Sequence, residues 1–168
     1  MRNPTPCLIA AAAILALSGC DKPKPRNVPT APAPPAATAA ALPPLPDWGK
    51  DMIGKAQTAL FPAEYKTCLG NTDNVEQKYA DGVRIVGWGW DPTAKAAVGR
   101  VILVDITGLI AGVGETGVTR PDVNKAKPEI TSPTTGWSAL TSRTTGPVDV
   151  YGIVDGGKSL CQLGHLEF

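Results

Sequence analysis

Short runs of strand-forming residues, separated at regular intervals by turn residues, are the feature that most constrains the fold of this chain. We predict strands at 74–79, 83–90, 99–106, 109–115, 134–140, 147–154 and 159–167. The turns between them are rich in glycine, proline and aspartate, as in Asp91-Pro92 and Asp155-Gly156-Gly157. No strong helical periodicity separates the strands, which disfavours a parallel α/β sheet. The pattern predicts an all-β fold, an antiparallel β-sandwich of about seven strands.

A short amphipathic segment precedes the strands. Its apolar residues recur at roughly helical spacing, namely Trp48, Met52, Ile53, Ala56 and Leu60. Asp47 is a suitable N-cap, and Pro62 ends the pattern. We therefore predict a short helix over 47–60, at the start of a domain that comprises residues 47–168.

Proline and alanine dominate the stretch before this domain. Residues 21–46 contain nine prolines and seven alanines among 26 positions. Such a segment buries too little apolar surface to offset its ordering entropy, and proline favours extended polyproline II conformations. We therefore predict that residues 20–46 form a disordered linker. A proline-rich ligand for a partner domain is the alternative interpretation.

The first 19 residues have the organisation of an export signal. Arg2 and the terminal amine supply positive charge, and residues 7–17 form an unbroken apolar run of eleven residues. A helix needs about 20 apolar residues to span a bilayer, so this run is too short for a transmembrane segment. Residues 1–19 are therefore predicted to be a cleaved signal peptide.

The end of this signal carries a more specific motif. Leu17-Ser18-Gly19-Cys20 resembles the lipobox of bacterial lipoproteins. The resemblance implies cleavage between Gly19 and Cys20 and acylation of Cys20 with a diacylglyceryl group and fatty acids such as palmitate. Several acyl chains together bind a bilayer far more strongly than one. The lipobox resemblance also implies attachment to the inner or outer membrane of a bacterial envelope, with the domain facing the periplasm or the cell surface.

The remaining cysteines also fit an exported protein. Once Cys7 has left with the signal and Cys20 is acylated, Cys68 and Cys161 remain as a pair. In an oxidising compartment we predict a disulfide between them, which is feasible because the first and last strands of a sandwich can be neighbours. A metal site is the alternative, but two thiols and the lone His165 supply fewer ligands than zinc requires.

Four short motifs, in the same order, resemble those of a small immunoglobulin-like β-sandwich module. They are Cys68-Leu69-Gly70-Asn71-Thr72-Asp73-Asn74-Val75, Gly87-Trp88-Gly89-Trp90-Asp91-Pro92, Arg120-Pro121-Asp122-Val123 and Gly136-Trp137. Modules of this kind are appended to bacterial envelope proteins, including polytopic membrane proteins of surface-polysaccharide pathways. The resemblance covers about residues 68–155. It implies an Ig-like antiparallel sandwich in the cell envelope and implies no activity.

Three tryptophans are candidates for ligand contacts. Trp88 and Trp90 are two residues apart and therefore share a face of a regular strand, and Trp137, on a later strand, is a candidate to join them. Exposed aromatic rings of this kind stack on sugars in carbohydrate-binding sandwiches. A tryptophan packed against a disulfide is equally a core feature of such folds, and we favour the core interpretation.

Arg120 and Asp122 are a second pair of candidates. They flank Pro121 between two predicted strands. One interpretation is an exposed recognition loop. We favour the other, in which the planar guanidinium braces loop carbonyls or a carboxylate.

Composition and motifs disfavour several functions. A formal net charge of +1 provides no basic field for nucleic acid. The chain has neither a Gly-x-Ser-x-Gly nor a His-Glu-x-x-His motif, and its acidic residues lack the spacing of calcium ligands. We therefore expect no enzyme, metal or cofactor. A non-enzymatic accessory lipoprotein that binds other envelope proteins is the leading hypothesis, with glycan binding through exposed tryptophans as the alternative and a hydrolase with paired carboxylates as the third.

Overall fold

Eight strands and three short helices make up the part of the chain that the computed structural model describes, residues 39–168. The helices are α1 (Asp47–Lys50), α2 (Gln57–Leu60) and α3 (Pro121–Ala126). The strands are β1 (Leu69–Glu76), β2 (Val83–Asp91), β3 (Ala96–Ala97), β4 (Arg100–Asp105), β5 (Ile110–Val118), β6 (Gly136–Thr141), β7 (Val148–Val154) and β8 (Ser159–Leu166). The predicted all-β antiparallel class is confirmed. Six of the seven predicted strands agree with observed strands to within three residues at each end, but the strand predicted at 74–79 begins five residues too late and β3 was not predicted.

The strands form one antiparallel sheet in the order β1-β2-β6-β5-β4-β7-β8, with β3 paired to the end of β2. The first and last strands of this order lie next to each other. Lys66, just before β1, forms a bridge with Cys161 in β8. A Cβ atom added to Gly70 in β1 would lie 2.5 Å from the Leu163 side chain in β8. The sheet therefore curls round an interior that its inward-facing side chains fill.

The interior is lined by buried apolar residues from most of the strands. They are Val83, Ile85, Val98, Val101, Leu103, Trp137, Ala139, Val148, Val150, Val154, Cys161 and Leu163. Glycines keep this space narrow, because a Cβ on Gly114 would lie 2.3 Å from the Ser138 carbonyl oxygen and one on Gly87 would lie 2.4 Å from the Trp137 ring. Tight curvature thus depends on positions without a side chain.

The outer face of the sheet is also buried over β4, β5, β7 and β8. Here α1, α2 and the residues around them cover the sheet, and the contacting side chains are Leu45, Trp48, Met52, Leu60, Phe61, Ile102, Val104, Ile110, Val113, Tyr151, Ile153 and Leu160. Strand β4 consequently has Val101 and Leu103 on the inner side and Ile102 and Val104 on the outer side, all of them buried. This explains its continuous apolar sequence, since a strand buried on both faces does not alternate.

The predicted helix over 47–60 is wrong in its continuity, because the structure divides it into α1 and α2. Gly54 has a φ of 79°, which favours glycine, and its N–H donates to the Ile110 carbonyl at 2.8 Å. In return, the Ile110 N–H donates to the Lys55 carbonyl at 2.9 Å. The chain thus leaves the helix to pair with β5, and a tertiary contact overrides local periodicity.

Contacts with the sheet begin upstream of the predicted domain boundary at Asp47. Ala40 forms a parallel bridge with Tyr79, and the Leu42 N–H donates to the Asp81 carboxylate at 2.7 Å. Leu45 packs against the buried apolar side chains on the outer face of the sheet. The last residues of the proline-rich stretch are thus part of the folded unit. Leu42 and Leu45 provide apolar side chains there, which the average composition of residues 21–46 does not indicate.

No helix within residues 39–168 combines the length and apolar character needed to cross a membrane. The predicted signal peptide, the lipobox residues Gly19 and Cys20, and most of the predicted linker lie outside the described residues.

Candidate binding surfaces

A disulfide joins Cys68 to Cys161, in agreement with the pairing predicted from the sequence. Cys68 directly precedes β1, and Cys161 is fully buried in β8. The Lys66 N–H donates to the Leu160 carbonyl at 2.8 Å beside this bond. The disulfide therefore closes the sheet where its two edge strands meet, and it fixes the segment that leads into β1.

Trp88 and Trp90 share the outer face of β2, as their spacing predicts, but they are covered. They pack with Leu69 and with Val123 and Ile130, which come from α3 and the loop that follows it. Only 9% of Trp88 and 2% of Trp90 is exposed. The segment between β5 and β6 therefore forms a cover over both rings.

Trp137 points the other way, into the interior of the sheet. It is fully buried, and its indole N–H has no acceptor within residues 39–168. Its ring lies over Gly87, its cross-strand partner in β2. The three tryptophans are thus divided between two separate apolar clusters, and the exposed aromatic platform that the glycan hypothesis required is absent from these residues.

Arg120 and Asp122 brace the covering segment. Arg120 Nε and Nη2 donate to the two Asp122 oxygens at 2.9 and 2.6 Å, and Nη1 donates to Asp73 in β1 at 2.5 Å. The Arg120 guanidinium lowers the pKa of Asp122 to about 2, through these hydrogen bonds and its charge. Asn124 holds the other side of the segment, donating to the Ile130 and Ser132 carbonyls at 2.5 and 3.0 Å. The geometry matches the brace interpretation, and it ties the cover over Trp88 and Trp90 to the first strand.

Asp105 organises the turn between β4 and β5. Its Oδ1 accepts from the Thr107 hydroxyl at 2.6 Å, the Thr107 N–H at 2.9 Å and the Leu109 N–H at 3.1 Å. Its Oδ2 pairs with Arg143. Burial alone would raise the pKa of Asp105, but the hydrogen bonds and the nearby guanidinium lower it. This buried carboxylate therefore has a structural explanation.

An apolar patch lies beside this turn. Ile106 is 79% exposed, and Leu109 and Ile53 are also partly open to solvent. Ile53 and Leu109 line one shallow depression of about 220 Å³ with Asp105 and Arg143. We name Ile53, Ile106 and Leu109 the hairpin patch.

A second surface was not predicted from the sequence. Tyr65, Lys66, Tyr151 and Gln162 line a depression of about 300 Å³ on the outside of β7 and β8. We name these four residues the tyrosine surface. The two tyrosine rings have centroids 5.4 Å apart and planes tilted by 36°. Tyr65 is 55% exposed, whereas Tyr151 is half-buried.

His165 adjoins the tyrosine surface. Its Nδ1 lies 2.8 Å from an Asp149 oxygen, across the β7–β8 pair. Within residues 39–168, no group of three or more histidine, cysteine, aspartate or glutamate side chains is arranged to hold a metal ion. The side chains that line the tyrosine surface present two aromatic rings, an amide and an ammonium group.

The sequence contains few features from which the tyrosine surface could have been predicted. Tyr151 alternates with buried valines along β7, and this alternation predicts that its side chain faces outward. Tyr65 lies in an irregular segment, and nothing local indicates that this segment lies beside β8. The disulfide prediction was the one available clue, because it places the residues before Cys68 near Cys161.

No protein-family model, curated protein or solved structure matches this chain. The lipobox and Ig-like resemblances therefore stay predictions that rest on the motifs themselves.

Proposed function

We propose that this chain is a non-enzymatic, lipid-anchored accessory protein of the bacterial cell envelope, and that its β domain binds another envelope protein. The anchor would be Cys20 of the Leu17-Ser18-Gly19-Cys20 motif, after removal of residues 1–19. The anchored chain would be attached to the inner or the outer membrane.

The observation that carries the envelope assignment is the pairing of Cys68 with Cys161. Structural disulfides form and persist outside the reducing cytoplasm. The two cysteines that the signal and lipobox predictions leave over are the same two that meet in the folded domain. Two independent features thus favour export of the same chain.

An accessory rather than catalytic role is supported by what the charged side chains do. Asp105 organises a turn, Arg120 braces the segment between β5 and β6, and Arg84 donates to Glu76 at 2.6 Å across two strands. These groups are engaged in holding the fold.

The hairpin patch is the surface best suited to a protein partner. An isoleucine that is 79% exposed buries little apolar surface within the domain, and grouped apolar residues at a surface are typical of interaction sites. The patch lies at one end of the sheet, because β4 and β7 are antiparallel with Asp105 opposite Val148. The turn that contains Lys158 therefore lies at the other end.

The lipid anchor is tested by replacing the acylated residue. We expect Cys20→Ser to abolish incorporation of labelled palmitate and to prevent recovery of the processed protein in the membrane fraction, since the thiol is the acylation site. The matched control is Cys7→Ser, which changes the other cysteine of the N-terminal region and should leave labelling intact. Equal labelling of Cys20→Ser and the unchanged protein would contradict the anchor.

The protein partner is tested with a photo-crosslinking amino acid placed at Ile106 in intact cells. We expect a discrete adduct with another envelope protein from this position and none from Lys158, which is also exposed but lies at the far end of the sheet. Ile106 on the free protein contacts mainly solvent, so the probe itself should not disturb folding. Only the uncrosslinked chain at Ile106, or the same adduct from both positions, would contradict the proposal.

A further inference from the structure

We propose that the tyrosine surface is a binding site for an acidic glycan, in which Tyr65 and Tyr151 contact the sugar rings and Lys66 contacts a sugar carboxylate. This site goes beyond the proposed function, because its lining residues differ from those of the hairpin patch and it needs no protein partner.

The first argument is that Tyr65 is exposed but held in place. The side chain of Gln57, itself only 6% exposed, donates from Nε2 to the Tyr65 hydroxyl at 2.5 Å. The backbone next to it is fixed by the hydrogen bond from the Lys66 N–H to Leu160 and by the Cys68–Cys161 disulfide. An aromatic ring that is both fixed and open to solvent binds with little loss of conformational entropy.

The second argument is the chemistry of the rings. One face of a pyranose ring carries C–H groups, which pack against the electron-rich face of an aromatic ring. Hydroxyl groups at the ring edge need hydrogen-bond partners, and tyrosine hydroxyls and a side-chain amide can supply them. Tyr151 and Gln162 are direct cross-strand partners in β7 and β8. The depression of about 300 Å³ therefore places aromatic faces and polar groups side by side.

The third argument concerns charge. Lys66 is the charged side chain in the lining of this depression, and it forms none of the ion pairs found within residues 39–168. The Asp149 carboxylate, two residues along β7 from Tyr151, forms its hydrogen bond with His165 and not with Lys66. An ammonium group without a carboxylate partner favours an anionic ligand.

The state of Tyr151 is consistent with this role. Burial raises the pKa of Tyr151 to about 12, with further contributions from Asp149 and Tyr65. Its hydroxyl therefore stays protonated at neutral pH and can donate to a sugar oxygen or carboxylate.

The test uses the full-length protein purified from cells in mild detergent and isothermal titration calorimetry. The acidic probe is hexagalacturonate and the neutral probe is chitohexaose. We expect hexagalacturonate to bind at least tenfold more tightly than chitohexaose. Tyr65→Ala should weaken binding of the acidic probe at least tenfold, because the fixed ring face is lost. Lys66→Met should abolish the preference over the neutral probe.

The control is Tyr79→Ala, which removes the tyrosine that lies outside this surface and should leave binding unchanged. Tryptophan fluorescence of each variant shows whether the fold is retained. Tyr65→Phe serves as a second, milder variant; it keeps the ring face but loses the hydrogen bond from Gln57, so its affinity should lie between those of the unchanged protein and Tyr65→Ala.

Several outcomes would overturn the glycan assignment. These are absence of hexagalacturonate binding, equal affinity for both saccharides, or equal losses in Tyr65→Ala and Tyr79→Ala. A proline-rich peptide with the sequence of residues 28–38 is titrated as a third probe. Tyr65-dependent binding of this peptide without saccharide binding would overturn the glycan in favour of a peptide ligand. The crosslinking result at Ile106 is independent of each of these.

Discussion

Replacing both Cys68 and Cys161 by alanine is expected to lower the free energy of unfolding by about 4–5 kcal/mol. The bond closes a loop with a sequence separation of 93 residues, and a crosslink over such a distance removes much entropy from the unfolded chain. Because small domains have a total stability of about 5–15 kcal/mol, the variant should be close to the limit of folding. Urea unfolding followed by tryptophan fluorescence measures the loss, since Trp48, Trp88, Trp90 and Trp137 all lie within the domain.

The control for this prediction is reduction of the unchanged protein. Adding a thiol reductant should bring its unfolding midpoint to that of the double variant, and the double variant itself should not respond to the reductant. A loss below about 1 kcal/mol, well short of the chain-entropy value, would show that other contacts close the sheet between β1 and β8.

Replacing Asp105 by alanine is expected to lower the free energy of unfolding by about 2–3 kcal/mol at neutral pH, because it removes the acceptor of the three hydrogen bonds that hold this turn. The carboxylate accepts from the Thr107 and Leu109 N–H groups at 2.9 and 3.1 Å and is only 6% exposed. Arg143→Gln is the matched control, since it removes the ion-pair partner and leaves the backbone hydrogen bonds intact. The Arg143 side chain is 44% exposed, so this change should have the smaller effect.

The pH dependence of the Asp105 effect has a defined sign. The pKa of this carboxyl is lowered in the folded protein, since the donors around it outweigh the effect of burial. Its contribution is therefore fully present above the unfolded pKa of about 3.9 and is lost as the pH falls through the lower, folded value. The stability difference between the unchanged protein and Asp105→Ala should be constant near pH 7 and should shrink below about pH 4. A difference that grows on acidification, or equal losses in Asp105→Ala and Arg143→Gln at pH 7, would contradict this explanation.

Local sequence patterns placed six of the seven predicted strands to within three residues at each end, but they set the first strand at 74–79 and missed β3. The turn residues between β7 and β8, Asp155-Gly156-Gly157, adopt positive φ values of 54°, 64° and 94°, so glycine at two of these positions is required locally. Helix α3 was not predicted, although Pro121 occupies its first turn, where proline is favourable. A helix of 6 residues is too short to produce a clear apolar period.

The candidate sites were predictable only in part. The spacing of Trp88 and Trp90 correctly placed them on one face of β2, but it could not show that α3 and its loop cover that face. Alternation along a strand reveals which face is buried only when the other face meets water. In β2 the residues from Gly87 to Trp90 are all buried, so the pattern carried no such information.

The sequence by itself determined the all-β class, the approximate position of most strands and the availability of one cysteine pair for a disulfide, because turn propensity and cysteine number are local or countable properties. The tertiary structure alone decided that Trp137 faces the interior while Trp88 lies beneath the segment between β5 and β6. It alone also brought Tyr65 beside Tyr151. The physical reason is that covering segments and curvature of the sheet depend on packing between residues far apart in the chain, and a local pattern does not record which surfaces meet.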